Sequence, residues 1–331
     1  MVFGLAPAGA NGRALRIGVI GAGVMGSNHA RVFTGLPNVE LVGVADPLDV
    51  HRKRATDLIG CQTFESVEAL LNEGVDAVTI AAPTHLHHEV ALACIARKVH
   101  VLVEKPIAST VEEGREIVSA AQRAGVTLMV GHVERFNPAV AAVKKAIEGE
   151  DILSIAITRV GPFPPRMSNV GVVIDLAVHD IDLIRWFTES DIVEVQPQLS
   201  SAVAEREDIA LLQFRTASGV LAHINTNWLT PFKARNVTVA TRGKYVMGDL
   251  LTRQVTECFG FQHDGSYSMR HLSVGYEEPL RSELTAFVNA VNSGGKPAVT
   301  GDEGVASLEI AIQCLDSSTH RDVSLPRAAA G

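Results

Sequence analysis

The chain has 331 residues, of which 47% are hydrophobic and 20% charged, a balance typical of a soluble globular protein with two domains. A formal net charge of −8 without a basic tract argues against nucleic acid as a partner. No apolar run approaches the roughly 18 residues of a membrane span, and the first residues lack the pattern of a secretory signal. Four scattered cysteines indicate neither a zinc site nor a disulfide framework, so we expect a cytoplasmic protein.

A glycine-rich turn follows the first predicted strand, the apolar run over residues 17–20. Gly21, Gly23 and Gly26 have the order G-x-G-x-x-G. The first glycine permits the turn, the second lets the backbone approach a pyrophosphate, and the third lets the next helix pack closely. A helix predicted over residues 24–33 would direct its free N–H groups at the phosphates. The pattern predicts dinucleotide binding, with an ordinary α/β turn as the alternative.

Asp46 follows the second apolar run, residues 39–45, about twenty residues beyond the last glycine. A carboxylate at this place binds the adenosine ribose hydroxyls and repels the 2′-phosphate of NADP, which favours NAD. Arg52, Lys53 and Arg54 lie close enough in the sequence to keep NADP open.

The first half of the chain alternates strands and helices, as a doubly wound parallel sheet does. Ligands of such sheets bind beyond the carboxyl ends of the strands. Further helices are predicted over residues 48–59, 66–71, 85–97 and 111–124, and further strands over 76–82, 99–103 and 126–130. Their carboxyl ends carry Pro83-Thr84, residues 104–106 and residues 132–137.

The pattern changes at about residue 149. A strand over 152–159 and a helix over 172–187 precede period-two runs at 209–214, 220–228, 237–240, 245–249 and 254–259, which predict a mainly antiparallel sheet with one open face. Apolar stripes at 280–291 and 305–315 predict two closing helices. We therefore expect a tail over residues 1–14, an α/β Rossmann domain over 15–131, and an α+β substrate-binding and oligomerisation domain over 132–325, whose closing helices could pack back on the first domain.

Lys105 lies between Glu104 and Pro106 at the end of a buried strand. Beside a nicotinamide its ammonium could hydrogen-bond a substrate hydroxyl and stabilise an alkoxide as hydride leaves. A solvated lysine at the start of a loop is the alternative.

Asp175, His179 and Asp182 are spaced by four and three residues, which places them on one helix face. An acid–imidazole pair on one face suits a general base that a carboxylate polarises. A polar patch, a helix-capping role and a metal site are the alternatives, since histidine and carboxylates also bind metals. Nothing else in the sequence requires a metal, and none is predicted.

These motifs occur together in one order: the glycine turn, PTHLHHE from Pro83, Glu104-Lys105-Pro106 and Asp175-x-x-x-His179. The set resembles the glucose–fructose oxidoreductase / inositol dehydrogenase (Gfo/Idh/MocA) family over essentially the whole chain after the tail. The resemblance implies an NAD(P)-dependent dehydrogenase of a sugar or cyclitol hydroxyl, with an open-faced sheet that forms homodimers or homotetramers. It implies Lys105, Asp175 and His179 as catalytic residues. It implies cofactor contacts from Gly21, Gly23, Val24, Met25, Gly26, Asp46, Pro83, Thr84, His87, Glu104 and Lys105.

One feature departs from that family. Its usual glycine run before the aspartate is reduced here to Gly171, which puts the shape of the turn on the substrate side in question.

Three further stretches resemble the branch of the family that acts on the 3-hydroxyl of UDP-N-acetylglucosamine-type sugars: GHVERFNPAV, RVGPFPPR and NWLTPFKAR. The arginine and lysine side chains of these stretches, Arg235 among them, would suit a nucleotide diphosphate. Ordinary surface arginines are the alternative. Free inositol or a simple sugar is the alternative substrate. The predicted substrate-binding residues are Arg135, Asn137, Arg159, Arg166, Asp175, His179 and Lys233.

The sequence thus predicts an NAD-dependent dehydrogenase in which His179 takes the hydroxyl proton, Asp175 orients that imidazole and Lys105 steadies the alkoxide. Whether Lys105 or His179 is the primary base stays open, because coupled groups titrate together. A non-catalytic regulator that senses the dinucleotide is the alternative function, although it would have no need of all three residues.

Overall fold

The structure, a computed structural model, describes residues 13–164 and 170–317. Arg166, one of the predicted substrate-binding residues, and most of the predicted tail lie outside these ranges. The described residues divide into two compact units, one formed by 13–137 with 277–308 and the other by 138–276 with 309–317, the gap at 165–169 excepted. Within the described ranges, no helix is long and apolar enough to cross a membrane.

The first unit contains a six-stranded sheet in which every neighbouring pair of strands is parallel. Its strands are β1 Leu15–Ile20, β2 Val39–Ala45, β3 Thr63–Phe64, β4 Ala77–Ile80, β5 His100–Glu104 and β6 Leu128–Gly131, in the order β3-β2-β1-β4-β5-β6. The order reverses between β1 and β4. In open α/β sheets this switch point is where ligands bind.

Helices connect these strands, as the alternating pattern predicted. They are α1 Val24–Thr34, α2 Asp49–Ile59, α3 Val67–Asn72, α4 His87–Ala96 and α5 Val111–Ala124, with short 3-10 turns at Thr84–Leu86 and Val133–Phe136. A capping box starts α5, because Thr110 accepts from the Glu113 N–H and Glu113 accepts from the Thr110 N–H.

The second unit begins with α6 Pro138–Ala146 and contains an eight-stranded sheet. A π-turn over Val173–Ala177 leads into α7 Val178–Thr188. The strands are β7 Ile152–Pro162, β8 Ile192–Ser200, β9 Ile209–Thr216, β10 Leu221–Asn227, β11 Leu229–Thr241, β12 Lys244–Asp249, β13 Gln254–Phe259 and β14 Ser268–Leu272, in the order β14-β13-β12-β11-β7-β10-β9-β8. All neighbours are antiparallel except β7 and β10, which confirms the predicted fold class.

Residues of α6 and α7 pack with one face of this sheet into a single hydrophobic core, which includes Val143, Ile181 and Ile157. The other face carries the alternate residues. Along β9, for example, Leu212 is buried whereas its neighbour Leu211 is 46% exposed. The chain then closes with α8 Pro279–Ser293 and α9 Gly301–Asp316, as the apolar stripes predicted.

Candidate active site

The glycine turn has the geometry that close approach of a dinucleotide requires. Gly21 has a φ of +94°, and a Cβ there would lie 2.7 Å from the carbonyl of Ala81. A Cβ on Gly26 would overlap the carbonyl oxygen of Gly21. A Cβ on Gly23, in contrast, would meet no described atom within 4 Å, so the space beside this backbone is open. The three glycines therefore fit the turn, the helix contact and the pyrophosphate approach in the predicted order.

The N-terminus of α1 follows the turn directly, with Val24 55% and Met25 37% exposed. The N-cap position is Gly23, which supplies no side-chain acceptor for the first N–H groups of the helix. Those donors and the positive end of the helix dipole suit an anionic phosphate.

Asp46 lies at the carboxyl end of β2 and joins it to the glycine turn. Its Oδ2 accepts from the Ala22 N–H at 2.8 Å and lies 3.2 Å from His51 Nδ1, and its Oδ1 accepts from the Leu48 N–H at 2.9 Å. The side chain is only 8% exposed. The carboxylate is thus held in place beside the turn, as a ribose ligand must be.

Two of the three neighbouring cations that kept NADP open, Arg52 and Lys53, have local partners. Arg52 donates to the carbonyl oxygens of Asp46 and Pro47, both at 2.9 Å. Lys53 lies 2.7 Å from Asp49, an i,i+4 pair on the surface of α2. The charges of Arg52 and Lys53 are therefore already engaged by protein groups rather than left for a 2′-phosphate.

The next strand ends carry Pro83, which is exposed, Thr84, which is half-buried, and Lys105, which is half-buried directly after β5. His87, a predicted cofactor contact, lies deeper than Pro83 and Thr84. It is 1% exposed, its Nδ1 lies 2.9 Å from the carbonyl oxygen of Pro106, and its Nε2 lies 2.9 Å from that of Ala82. Burial lowers the pKa of this imidazole, against the hydrogen bonds that raise it. We therefore assign His87 to tying the two strand ends together.

Glu104 is also turned inwards, since it is 8% exposed and its carboxylate lies against His29. Its Oε2 accepts from the Lys105 N–H at 3.2 Å, and its predicted contact with the cofactor stays a prediction.

In the second unit, Asp175 lies in the π-turn and His179 in the first turn of α7, and both side chains are half-buried. Asp182, the third acid of the predicted face, is 1% exposed, so it does not share the accessibility of the pair. π-turns inside α-helices occur frequently at functional sites, where the wider turn displaces side chains from ordinary helical positions.

Gly171 begins this helical segment, and its contact explains why this one glycine is retained. A Cβ at Gly171 would overlap the carboxylate of Glu207. That carboxylate accepts from the Val173 N–H at 3.2 Å, and the Glu207 carbonyl oxygen accepts from the Val172 N–H at 2.9 Å. Burial raises the pKa of Glu207. The segment that carries Asp175 is therefore fixed by Glu207, and the missing glycines of the family pattern are not needed for this contact.

Two of the arginines predicted to bind the substrate are in internal ion pairs. Arg159 is buried, and its Nε and Nη2 bind both oxygens of Asp180 at 2.7–3.0 Å. In the first unit, Arg135 has a 4% exposed side chain and lies 2.8 Å from Glu303. Their predicted role as substrate ligands stays a prediction, for two side chains whose charges are already balanced inside the fold. Asn137 is likewise buried, 3.4 Å from Glu134.

Lys233 is exposed on β11, and Arg235 on the same strand is half-buried. Among the described cations of the second unit that were predicted near the substrate, these two lie closest to its surface.

Each unit thus gathers its own part of the predicted site. The carboxyl edge of the first sheet brings together the glycine turn, Asp46, Pro83-Thr84 and Lys105, and the π-turn of the second unit brings together Asp175 and His179. Sequence reasoning missed the contacts of Glu207, Asp180 and His29, because a partner distant along the chain leaves no local pattern.

Comparison with known proteins gives the family. Residues 15–132 match the GFO_IDH_MocA model, described as an oxidoreductase family with an NAD-binding Rossmann fold, and residues 152–246 match the GFO/IDH/MocA C-terminal domain. The chain is 29% identical to a UDP-N-acetylglucosamine 3-dehydrogenase from Acidithiobacillus ferrooxidans, over 90% of this chain and 96% of that protein. It is 31% identical to an inositol 2-dehydrogenase from Rubrobacter xylanophilus, over 92% and 90%.

Solved structures of similar proteins have the same fold. The Acidithiobacillus ferrooxidans enzyme superposes with a TM-score of 0.87 at 27% identity, over 92% of this chain and 97% of that one. GenD2 from gentamicin A biosynthesis, solved in complex with NAD, superposes with a TM-score of 0.80 at 25% identity, over 96% and 98%. The chain is therefore a member of the GFO/IDH/MocA oxidoreductase family, built on an NAD-binding Rossmann domain.

Proposed function

We propose that this oxidoreductase is an NAD-dependent dehydrogenase that oxidises a secondary hydroxyl of a sugar, with the 3-hydroxyl of a UDP-N-acetylglucosamine-type sugar nucleotide as the first candidate. The observation that carries the proposal is the pair of half-buried groups Asp175 and His179, placed by a π-turn whose start is fixed by Glu207. Together with Lys105 at the nucleotide-binding edge of the first sheet, this pair supplies the groups that proton removal from a hydroxyl needs.

The first unit would hold the dinucleotide through the N-terminus of α1 and the Asp46 carboxylate, and the bound nicotinamide supplies a hydride acceptor. Gly23 leaves room for the pyrophosphate, because no described atom lies within 4 Å of its Cβ position. Asp46 is already held by the Ala22 and Leu48 N–H groups, so no reorganisation of the carboxylate is needed before it binds a ribose.

His179 would accept the hydroxyl proton. Asp175, four residues earlier, would orient the imidazole and favour its charged form, since a nearby carboxylate stabilises an imidazolium. The ammonium of Lys105 would hydrogen-bond the same oxygen and stabilise its developing negative charge. Either Lys105 or His179 could be the group that takes the proton first.

Sequence similarity and the cations of β11 bear on the choice of substrate. The 29% identity to a UDP-N-acetylglucosamine 3-dehydrogenase and the TM-score of 0.87 favour a sugar nucleotide. Arg135 and Arg159, two of the predicted substrate ligands, have their charges balanced by Glu303 and Asp180. Lys233 and Arg235 on β11 are then the described cations that support a diphosphate. An inositol or free sugar is the second candidate, favoured by the 31% identity to an inositol 2-dehydrogenase.

A substrate panel tests the proposal. The protein is mixed with NAD and, separately, with UDP-N-acetylglucosamine, UDP-glucose, N-acetylglucosamine, myo-inositol and scyllo-inositol, and the absorbance of NADH is followed. We expect the highest kcat/KM with UDP-N-acetylglucosamine, and N-acetylglucosamine serves as the matched substrate without a diphosphate. Turnover of an inositol alone would establish the second candidate. Tight binding of NAD without turnover of any of these would point to a dinucleotide-sensing regulator.

A further inference from the structure

Three titratable side chains meet in the interior of the first unit, behind the strand end that carries Lys105. His29 lies on α1, Glu104 ends β5 and Glu283 lies on α8, and one nitrogen or oxygen of each lies within 4.8 Å of the others. His29 and Glu283 are 0% exposed. His29 Nε2 lies 3.0 Å from Glu104 Oε1, whereas neither carboxyl oxygen of Glu283 has a hydrogen-bond partner among the described residues.

Two buried carboxyl groups at this separation cannot both be ionised, because each would destabilise the charge of the other in a medium of low dielectric constant. Glu104 is the one with stabilising neighbours. It lies against His29, and its Oε2 accepts from the Lys105 N–H at 3.2 Å. Burial raises the pKa of Glu104, but His29 and Lys105 outweigh burial and hold it below its usual range. Burial, and after it the charge of Glu104, raises the pKa of Glu283 well above its usual range.

We propose that His29, Glu104 and Glu283 form a proton-sharing triad, in which neutral Glu283 donates a hydrogen bond to the Glu104 carboxylate and so fixes the backbone of Lys105. Glu283 is the positioning residue, since it acts on Lys105 through Glu104. An oxygen of Glu283 lies within 4.8 Å of one of Glu104, so the proposed hydrogen bond requires a small movement of the Glu283 side chain. The positioning role rests on the proposed function, in which Lys105 contacts the substrate, whereas the shared proton does not.

The neighbouring strand is built to leave room for this carboxylate. Gly131 pairs with Glu104 across β5 and β6, and a Cβ on Gly131 would lie 3.2 Å from Glu104 Oε2. A side chain there would press on the oxygen that accepts from the Lys105 N–H. The orientation of Glu104 is thus constrained by His29 on one oxygen and by the Lys105 backbone on the other.

The same three groups could in principle bind a divalent cation, since histidine and carboxylates are common ligands. Two observations favour the proton. A metal-bound histidine almost always donates its second ring N–H to a partner, yet His29 Nδ1 has none among the described residues. The 3.0 Å between His29 Nε2 and Glu104 Oε1 is also the length of a direct hydrogen bond.

The charged groups around Glu283 define how it titrates. From β5 it faces Glu104, which is followed by Lys105, and from α1 it faces His29. The short turn Val133–Phe136 also packs against α8 and carries Glu134 and Arg135, of which Arg135 is paired with Glu303.

Because the pKa of Glu283 is raised in the folded chain, its contribution to stability is fully present below its unfolded pKa of about 4.3 and is lost as the pH rises towards the folded value.

Two substitutions at Glu283 test the triad. Glu283→Gln keeps the shape of a neutral carboxyl group and still donates a hydrogen bond to Glu104, whereas Glu283→Met keeps a buried side chain without a donor. Glu278→Gln is the control, because Glu278 lies at the start of the same helix in a surface pair with Arg31.

We expect the infrared band of a protonated carboxyl group at neutral pH in the wild type and in Glu278→Gln, and its loss in Glu283→Gln. As the pH rises above about 5, the unfolding midpoint of the wild type should fall relative to that of Glu283→Gln. With the best substrate, Glu283→Gln should keep kcat within about threefold, and Glu283→Met should lose roughly tenfold or more in kcat with little change in the Kd for NAD.

Three outcomes would overturn the triad: no protonated carboxyl band that depends on Glu283, a purified protein that holds a stoichiometric metal removed by chelator, or a Glu283→Gln variant as unstable at neutral pH as Glu283→Met. If the wild type shows the band and Glu283→Met nevertheless keeps the wild-type kcat, the positioning role would be overturned. The infrared and unfolding measurements need no substrate, so a wild type without dehydrogenase activity would contradict the proposed function alone.

Discussion

Gly171 and Glu207 are in contact where the chain enters the helical segment of Asp175 and His179: the Glu207 carboxylate occupies the space that a side chain at residue 171 would fill. The same carboxylate accepts from the Val173 N–H at 3.2 Å. A residue more than thirty positions further along the chain therefore sets the start of the segment that presents the proposed base.

Gly171→Ala should consequently destabilise the second unit. The added methyl group must displace the Glu207 carboxylate, and overpacking of this kind typically costs about 1–3 kcal/mol. Gly161→Ala is the matched control on β7, because a Cβ there would lie 3.5 Å from Lys233 Cγ, an ordinary contact. Thermal unfolding compares the two. Equal midpoints would show that the segment does not depend on this contact.

The buried pair of Arg159 and Asp180 predicts a large asymmetry between two Asp→Asn substitutions. Asp180→Asn removes the carboxylate charge from this buried bidentate pair, which should cost about 3–5 kcal/mol of unfolding free energy. Asp191→Asn is the control, because Asp191 pairs with Arg185 at 2.8 Å but is 78% exposed, and a surface pair is worth about 0–1 kcal/mol. Chemical denaturation measures both. A small effect of Asp180→Asn would show that the fold does not depend on this pair.

Asp46 should set the affinity for NAD. Asp46→Ser removes the carboxylate that the Ala22 and Leu48 N–H groups hold beside the glycine turn. Loss of charge-assisted hydrogen bonds of about 1.5–3 kcal/mol should raise the Kd for NAD roughly ten- to hundredfold and narrow the gap to NADP. Asp49→Ser, on the exposed start of α2, is the control. Titration with NAD and with NADP, followed by tryptophan fluorescence, gives the two Kd values. An unchanged preference for NAD in Asp46→Ser would place the ribose contact elsewhere.

The open face of the eight-stranded sheet should form a subunit interface. Leu211 on β9 and Leu221 on β10 are 46% and 50% exposed on this face, and apolar residues grouped on one face of a folded unit favour association. Leu211→Asp should lower the apparent mass in sedimentation, whereas Leu58→Asp, at a 66% exposed residue of α2, should not. A wild type that is monomeric at micromolar concentration would rule this interface out.

Much of the fold was predictable from local pattern. The bounds of β2, α5 and β13 agree with the prediction residue for residue, because each has a clear apolar period and recognisable flanking turns. β3, α6, β8 and β14 were missed. β3 has two residues, β8 contains Pro197 among polar residues, and four of the five residues of β14 are exposed, so none of these strands has a readable hydrophobic period.

The candidate site divides in the same way. The glycine turn and Asp46 were predictable, since their residue types and their spacing over about twenty-five residues are characteristic of dinucleotide binding. The partners of Arg159, Arg135 and His87 were not, because an arginine or histidine in an internal pair has the same local sequence as one that faces a ligand. Asp180, Glu303 and the carbonyl of Pro106 are brought to these side chains by tertiary packing.

The most direct measurement of the proposed chemistry is kcat for Lys105→Ala and His179→Ala, with the Kd for NAD measured in the same variants. General acid–base assistance contributes about 10²–10⁴-fold, so each substitution should lower kcat by that order. The NAD affinity, followed through the fluorescence of Trp186 and Trp228, should stay within a small factor of the wild type. A His179→Ala variant with wild-type kcat, or a Lys105→Ala variant that no longer binds NAD, would contradict the proposed roles.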